Sequence, residues 1–338
     1  MDIQDQVTTL AMDAPRATLG LSCYTANLER YLSHEWDGPA LIARSVRLAV
    51  GLGRQDGLLA FSHHDPALDA LPDGTHLRHA GAASVGDALA GIADEVRSWG
   101  RALVVADASR LPWAPPGVDP GPHWLLVDGR RTDAWHVVDA FAALLPQGAQ
   151  ASFDGWLGTD VLARVLDLPE RPGPWPEVHR LRDELAFGAV VEPGPHGRAR
   201  WLTRTALTGP VPGPDGGLPG RWLTTDEETL PFLAEHLVAE GARAARQLED
   251  VWAVAGHRAF AHGWALAHGT AADPARAAHA RTLWERLPRD LRYAVTAAQR
   301  GRARPDLVRD RLARVMEAEV AAAGDDVTTR VVREGEGP

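Results

Sequence analysis

Three residues that lie far apart along the chain have the types that nucleophilic acyl chemistry needs: Cys23, His123 and Asp139. Cys23 is the only cysteine, which excludes an internal disulfide and a cysteine-based metal site. It stands at the expected start of a helix, where unpaired N–H groups and the positive end of the helix dipole favour a thiolate. A cysteine nucleophile also needs a base, and the base needs a group that orients it. His123 to Asp128 and Ala134 to Asp139 both read as strands, and the polar Gly129-Arg130-Arg131-Thr132-Asp133 between them suits a hairpin. If Asp128 pairs with Ala134, Val127 faces Trp135, Leu125 faces Val137 and His123 faces Asp139. Directly opposed residues have Cβ atoms about 4.5–5.5 Å apart on one side of the sheet. A slip of two residues leaves His123 and Asp139 diagonal but in reach, and a slip of one puts them on opposite faces. His136 has the wrong parity to share the face of Asp139.

An acyl-transfer intermediate also needs preorganised donors for its oxyanion. The backbone N–H of Cys23 is one candidate, and Gly20 or Ser22 would supply a second; no Gln or Asn stands upstream closer than Gln6. Asn27, one turn beyond Cys23, is a candidate substrate contact. Asp107, at the end of a buried strand Leu103-Val104-Val105-Ala106, would line the cleft or bind an amine. Other motifs weaken. Gly51-Leu52-Gly53-Arg54-Gln55-Asp56-Gly57 has the wrong spacing for a dinucleotide loop and follows a helix rather than a strand. His63-His64 and the set His257, His262 and His268 lack metal-ligand spacing. No cofactor and no metal are expected.

Around these residues the pattern predicts a helix from Ser22 to about Ser33 and a second from Ala40 to Val50. A strand is expected over Leu58 to Ser62, and a helix capped by Ser84 and Asp87 runs to Trp99. Phe153 to Leu168 resembles another helix. The chain then divides into a catalytic part, 1–168 with a polar leader over 1–19, a Pro/Gly-rich connection, 169–221, with one strand pair near Ala189–Thr205, a helical part, 222–324, and a tail, 325–338. Thr225 and Glu228 form the capping box that opens the helical part, which Gly256, Gly269, Pro288 and Pro305 punctuate.

Composition narrows the function class. The 338 residues are 45 % hydrophobic and 24 % charged, an ordinary globular balance. All 35 basic residues are arginine, and the net charge is −10. Nucleic acid and anionic membranes would repel such a chain overall. No apolar run approaches the ~18 residues of a membrane span, and the acidic N-terminus lacks a signal-peptide profile, so a cytoplasmic location is expected. Arg292, Arg300, Arg302, Arg304, Arg309, Arg311 and Arg314 crowd one stretch, read as a solvated arginine-rich helix or a docking face for an acidic carrier.

Leu21-Ser22-Cys23-Tyr24-Thr25-Ala26-Asn27-Leu28, Gly51-Leu52-Gly53, Asp107 with Leu111-Pro112-Trp113, Pro122-His123-Trp124-Leu125-Leu126-Val127 and Val137-Val138-Asp139 together resemble the butirosin biosynthesis protein H-like family. The resemblance covers residues 18–170, and the helical region 222–324 is similar to one that family members carry. It implies an α+β, papain-like cysteine-peptidase fold, in which a helix bearing the cysteine packs on an antiparallel sheet, with a helical C-terminal domain. It further implies Cys23 as nucleophile, His123 as base and Asp139 as orienting carboxylate. The implied reaction is acyl transfer from a phosphopantetheine-tethered carrier-protein thioester to a small-molecule amine or an intramolecular nucleophile, in natural-product assembly. Asp128-Gly129-Arg130-Arg131 departs from the family's hairpin. A thioesterase or amide hydrolase of the same fold, and a non-catalytic carrier-binding module, are the alternative readings.

Overall fold

The computed structural model describes residues 20–52, 57–145, 147–168, 177–188, 199–206 and 221–323. The polar leader, the Gly53–Asp56 part of the rejected loop, most of the Pro/Gly-rich connection and the tail lie outside them. The chain forms two units, Met1–Ser45 with Ser62–Pro219, and Val46–Phe61 with Gly220–Pro338. Residues 46–61 therefore group with the helical C-terminal part and not with the segment around Cys23.

The first unit is mixed α+β. Helix α1 (Cys23–Leu32) opens because Ser22 adopts an extended backbone and its side chain accepts the N–H of Thr25, the preferred way to satisfy a first-turn donor. Helix α2 follows at Gly38–Ser45. A six-stranded sheet has the order β3 (Thr75–Ala82), β10 (Ala199–Ala206), β4 (Ala102–Asp107), β5 (Pro122–Arg130), β6 (Ala134–Asp139), β9 (Phe153–Gly158). Every described pairing in it is antiparallel. Helix α3 (Val85–Trp99) is capped by Ser84, which accepts the N–H of Asp87, and ends at Gly100 with φ 74°. Only glycine takes that conformation without cost. With α4 (Thr159–Leu166), α3 covers the sheet: Ala88, Ile92, Leu162 and Val165 share one core with Val104, Leu125, Val127, Trp135 and Val137. Helix α1 packs against β5.

Several expectations change. The helix foreseen to Val50 stops at Ser45, and Val46–Gly51 is strand β1. Val46, Leu48 and Val50 alternate, and Val50 and Gly51 pair with Leu223 and Trp222 of β11 (Trp222–Leu223). The helix foreseen from Phe153 begins at Thr159, because β6 recruits Phe153–Gly158 along its whole length. The early strand is shifted to β2 (Ala60–His64), and β3 was not foreseen. The pair expected near 189–205 is replaced, where described, by β10 between β3 and β4. A short helix, α5 (Glu177–Glu184), lies within the connection.

The second unit holds β1, β11 and helices α6 (Asp226–Glu240), α7 (Leu248–Ala267), α8 (Pro274–Gln299) and α9 (Pro305–Ala323). Thr225 caps α6 as expected, accepting the N–H of Glu228. Gly256 and Pro288 interrupt nothing; they lie inside α7 and α8. Leu48, Val50, Leu230, Leu233, Val251, Trp284, Leu291 and Leu312 build its core. Of the crowded arginines, Arg309 is chelated by Glu235 at 2.7 and 2.8 Å, Arg311 reaches Asp290 at 2.8 Å and Arg314 reaches Asp310 at 3.0 Å. Glu235 and Asp290 come from α6 and α8, separate helices from the one that carries Arg309 and Arg311, and three of the seven arginines are paired within their own unit. Among the described residues no helix is long and apolar enough to cross a membrane.

Candidate active site

Cys23 is the first residue of α1, half-exposed, where the backbone N–H is not used by the helix ladder. His123 is the second residue of β5 and Asp139 the last of β6. In antiparallel neighbours these positions lie at the same end of the sheet. His123 Nε2 is 2.8 Å from Asp139 Oδ2, and both side chains are buried. The Cys23 side chain lies near enough to act on the imidazole and favour its protonated form.

The register is not the one expected. Val127 lies opposite Val137, Leu126 opposite Val138, and Arg130 opposite Trp135, with an irregularity between Val127 and Gly129. Asp128 is thus an extra residue, a β-bulge, held by its carboxylate at 2.6 Å from His136 Nδ1. The turn shrinks to Arg131-Thr132-Asp133, closed by the Arg131 N–H donating to Ala134 at 2.8 Å. Relative to the expected pairing the strands have slipped by two residues. Parity survives the slip, so His123 and Asp139 remain on one face as a diagonal pair. His136 points elsewhere, to Asp128 and, at 3.1 Å, to Asp154.

Asp139, fully buried, collects five donors. Oδ2 receives His123, the Trp113 indole at 2.8 Å and the Gln150 amide at 3.4 Å. Oδ1 receives the Phe141 N–H at 3.0 Å and Asn27 Nδ2 at 3.2 Å. Trp113 is in turn stacked on Phe153, centroids 4.2 Å apart. The Phe141 ring stands edge-on to the imidazole at 5.5 Å. Burial alone pulls the His123 imidazole down from its ordinary 6.5, but the charges of Asp139 and Cys23 outweigh it and raise it to about 10. The carboxylate of Asp139 thus favours the protonated form of the imidazole. Next to it, the Trp124 indole donates to Asp183 at 2.8 Å, and Asp183 binds Arg200 at 2.7 Å, which ties β5 to α5 and β10.

The remaining candidates have other duties. Asn27 is fully buried; its amide donates to the Cys23 carbonyl at 2.9 Å, the Trp124 carbonyl at 2.7 Å and Asp139, and its oxygen accepts the Ala140 N–H at 3.0 Å. It is a brace between α1, β5 and β6 and faces no open cleft, which corrects its assignment as a substrate contact. Asp107 caps the short turn after β4, accepting the Ser109 N–H at 2.9 Å and its hydroxyl at 2.7 Å, so it is a turn former and not a cleft group. The Ser22 side chain is spent on the cap of α1. Sequence reasoning missed Trp113 and Gln150 as site residues. Trp113 stood in a quoted motif, but nothing marked its indole as a carboxylate donor. Gln150 reaches Asp139 only because β7 (Ala143–Leu145) and β8 (Gly148–Gln150) fold back as a hairpin. Among the described residues no group of three or more His, Cys, Asp or Glu side chains is arranged to hold a metal ion.

No known protein-family model matches the chain, and no curated protein matches it.

Proposed function

We propose that the first unit is a papain-like cysteine acyltransferase of the butirosin H-like kind, with Cys23 as nucleophile, His123 as acid and base, and Asp139 as the carboxylate that orients His123. The observation that carries this reading is the convergence of the lone cysteine, at a helix tip, on a buried imidazole whose Nε2 a carboxylate holds. Two independent elements, α1 and the β5–β6 pair, present these groups to each other.

The Cys23 thiolate attacks the thioester carbonyl, and the tetrahedral oxyanion is met by the Cys23 backbone N–H. Collapse breaks the carbonyl–sulfur bond of the donor, and the imidazolium gives its proton to the departing thiolate. The acyl group is now on Cys23. An amine enters, attacks the new thioester and loses its proton to the neutral His123, and the Cys23 thiolate leaves. Atoms and charge return to the starting state. The donor implied by the family resemblance is a phosphopantetheine-tethered carrier-protein thioester, and the cell compartment in which such carriers work is the cytoplasm.

Intact-mass measurement after exposure to phenyl thioacetate tests the proposal. The expected result is a single acetyl adduct, absent in Cys23→Ala and discharged by an added amine faster than by buffer alone. Discharge by water at the same rate favours hydrolysis over transfer. No adduct, or an adduct that persists in Cys23→Ala, overturns the proposal and favours a binding module.

A further inference from the structure

A second polar network meets the first turn of α1, and the acyl chemistry does not use it. Ser22, Thr25, Ser45 and His64 are all buried, Thr25 and His64 completely. Ser45 Oγ donates to the Ile42 carbonyl at 2.9 Å and lies 2.9 Å from His64 Nδ1. His64 Nε2 lies 3.3 Å from Thr25 Oγ1. Ser22 Oγ donates to Thr25 Oγ1 at 3.1 Å and accepts the Thr25 N–H at 3.4 Å. The Ser45 carbonyl also accepts the Asp65 N–H at 2.7 Å, fixing the residue after His64 to the end of α2.

These contacts have one consistent direction. The Ser45 hydroxyl hydrogen is committed to Ile42, so its oxygen accepts, and His64 Nδ1 donates. His64 Nε2 is then the accepting nitrogen and takes the Thr25 hydroxyl hydrogen. Thr25 Oγ1 in turn accepts from Ser22, and Ser22 turns its lone pairs to the Thr25 N–H. A chain of aligned dipoles polarises along its length, and it ends on the cap of the turn that begins with Cys23. A threonine inside a helix ordinarily bonds back to its own helix carbonyls; here it reaches across 39 residues to His64.

We propose that His64 is a positioning residue for Cys23: through Thr25 and Ser22 it locks the first turn of α1, so that the Cys23 backbone N–H and sulfur hold a fixed orientation towards His123. The proposal rests on the reading of Cys23 as the nucleophile. The members of the network are Ser22, Thr25, Ser45 and His64. They act by removing freedom from a turn whose misplacement weakens the thiolate–imidazolium pair and the oxyanion donor together.

The test is the rate of Cys23 alkylation by iodoacetamide in the full-length protein, with thermal melting measured alongside. Thr25→Val keeps the shape and deletes the hydroxyl, and is expected to slow alkylation about three- to tenfold, the kinetic equivalent of one neutral hydrogen bond. Thr25→Ser restores the hydroxyl and should recover the rate, a rescue that loss of packing would not give. Should Thr25→Val fail to fold, Ser45→Ala cuts the chain at its far end and is expected to slow the reaction in the same direction. A wild-type rate in folded Thr25→Val, or in Ser45→Ala, overturns the proposal. Phenyl thioacetate separates the two readings: a wild-type protein that alkylates but never acylates refutes the acyl-transfer function and leaves the positioning network standing.

Discussion

Asp139→Asn preserves the shape of the side chain and deletes its charge, and the five donors around the carboxylate set the cost. An amide keeps one acceptor oxygen and replaces the other with an NH2. Turned towards His123, Trp113 and Gln150, the NH2 would face three donors. Turned the other way it faces two, Asn27 Nδ2 and the Phe141 N–H. The second orientation costs less, because Asn27 retains the Cys23 and Trp124 carbonyls as acceptors. The orphans are then the Phe141 N–H and the new amide hydrogens, each group worth about 1–3 kcal/mol when buried unpaired. The first unit should therefore lose about 2–6 kcal/mol, a large part of the ~5–15 kcal/mol that holds a typical domain. His123 also loses the charge that does most to keep its proton, so acylation of Cys23 should fall with stability. Because the chain has two units, whole-chain unfolding is not one transition, and the assay is hydrogen exchange of β5 and β6 peptides across a urea series. A loss below about 1 kcal/mol, within reach of ordinary surface substitutions, would refute the account of Asp139 as the buried acceptor hub of the site.

Three further outcomes follow from charge and burial. His123 titrates at about 10 in the folded chain against an ordinary 6.5, so its stabilisation is complete below pH 6.5 and is lost as pH rises through about 10. The stability of the first unit against pH, read by hydrogen exchange of β5 and β6 peptides, should therefore flatten over that window in His123→Ala, and an unchanged slope would count against the ion pair. Arg204, almost fully buried, is bonded to both oxygens of Glu35 at 2.8 and 2.9 Å, to Thr75 at 2.9 Å and to Asp73, and lies over the Trp99 ring at 4.2 Å. Arg204→Ala should destabilise the first unit by about 1–3 kcal/mol. That is less than the ~3–5 kcal/mol of a broken buried pair, because Glu35 and Asp73 keep about a third of their surface in water; hydrogen exchange of β10 peptides across a urea series decides it. In the second unit, burial pushes the Glu319 carboxyl up, but His262 at 2.9 Å, the Arg258 charge and the Trp284 indole together hold it below its usual 4.5. Its stabilisation is present above pH 4.5 and is lost as pH falls further, so Glu319→Gln should be less sensitive to acid between pH 5 and 3 than the wild type, read by exchange of α9 peptides.

How much of this was legible depended on the range of the interaction concerned. The Ser84 cap and the Thr225 cap are local, each a side chain within three residues of its N–H, and both were readable; the Ser22 cap is equally local, but Ser22 reads from the sequence as part of the helix and not as its cap. The limits of α2 and α4 were not readable. Val46–Gly51 carries enough apolar residues to continue a helix, and only a partner strand some 170 residues on, Trp222–Leu223, gives its alternation a use. Phe153–Gly158 became a strand for the same reason: β6 offered it an edge, and Gly155 and Gly158 weaken the competing helix. The Gln150 contact with Asp139 and the pairing of Arg309 with Glu235 are likewise properties of the folded chain.

The meeting of His123 and Asp139 was readable for a physical reason that outlasts the error in its register. What a base and its orienting carboxylate require of two strands is a shared face, and a face is set by parity alone. The bulge at Asp128 takes up one residue and the tighter turn shifts the pairing, yet the net slip relative to the expected register is two, which returns each side chain to its original side. The distance that parity leaves open is closed by side chains: His123 and Asp139 meet at 2.8 Å although they are diagonal, since Asn27, Trp113 and the Phe141 N–H hold the carboxylate from its other directions. A bulge of one residue without the compensating turn would have pointed Asp139 into the opposite layer and left His123 buried without a counter-charge. The bulge and the three-residue turn are therefore a matched pair. Deleting Asp128 alone should abolish acylation of Cys23, whereas shortening an exposed loop elsewhere by one residue should not. An Asp128 deletion that folds and still acylates at the wild-type rate would show that the hairpin does not set the site.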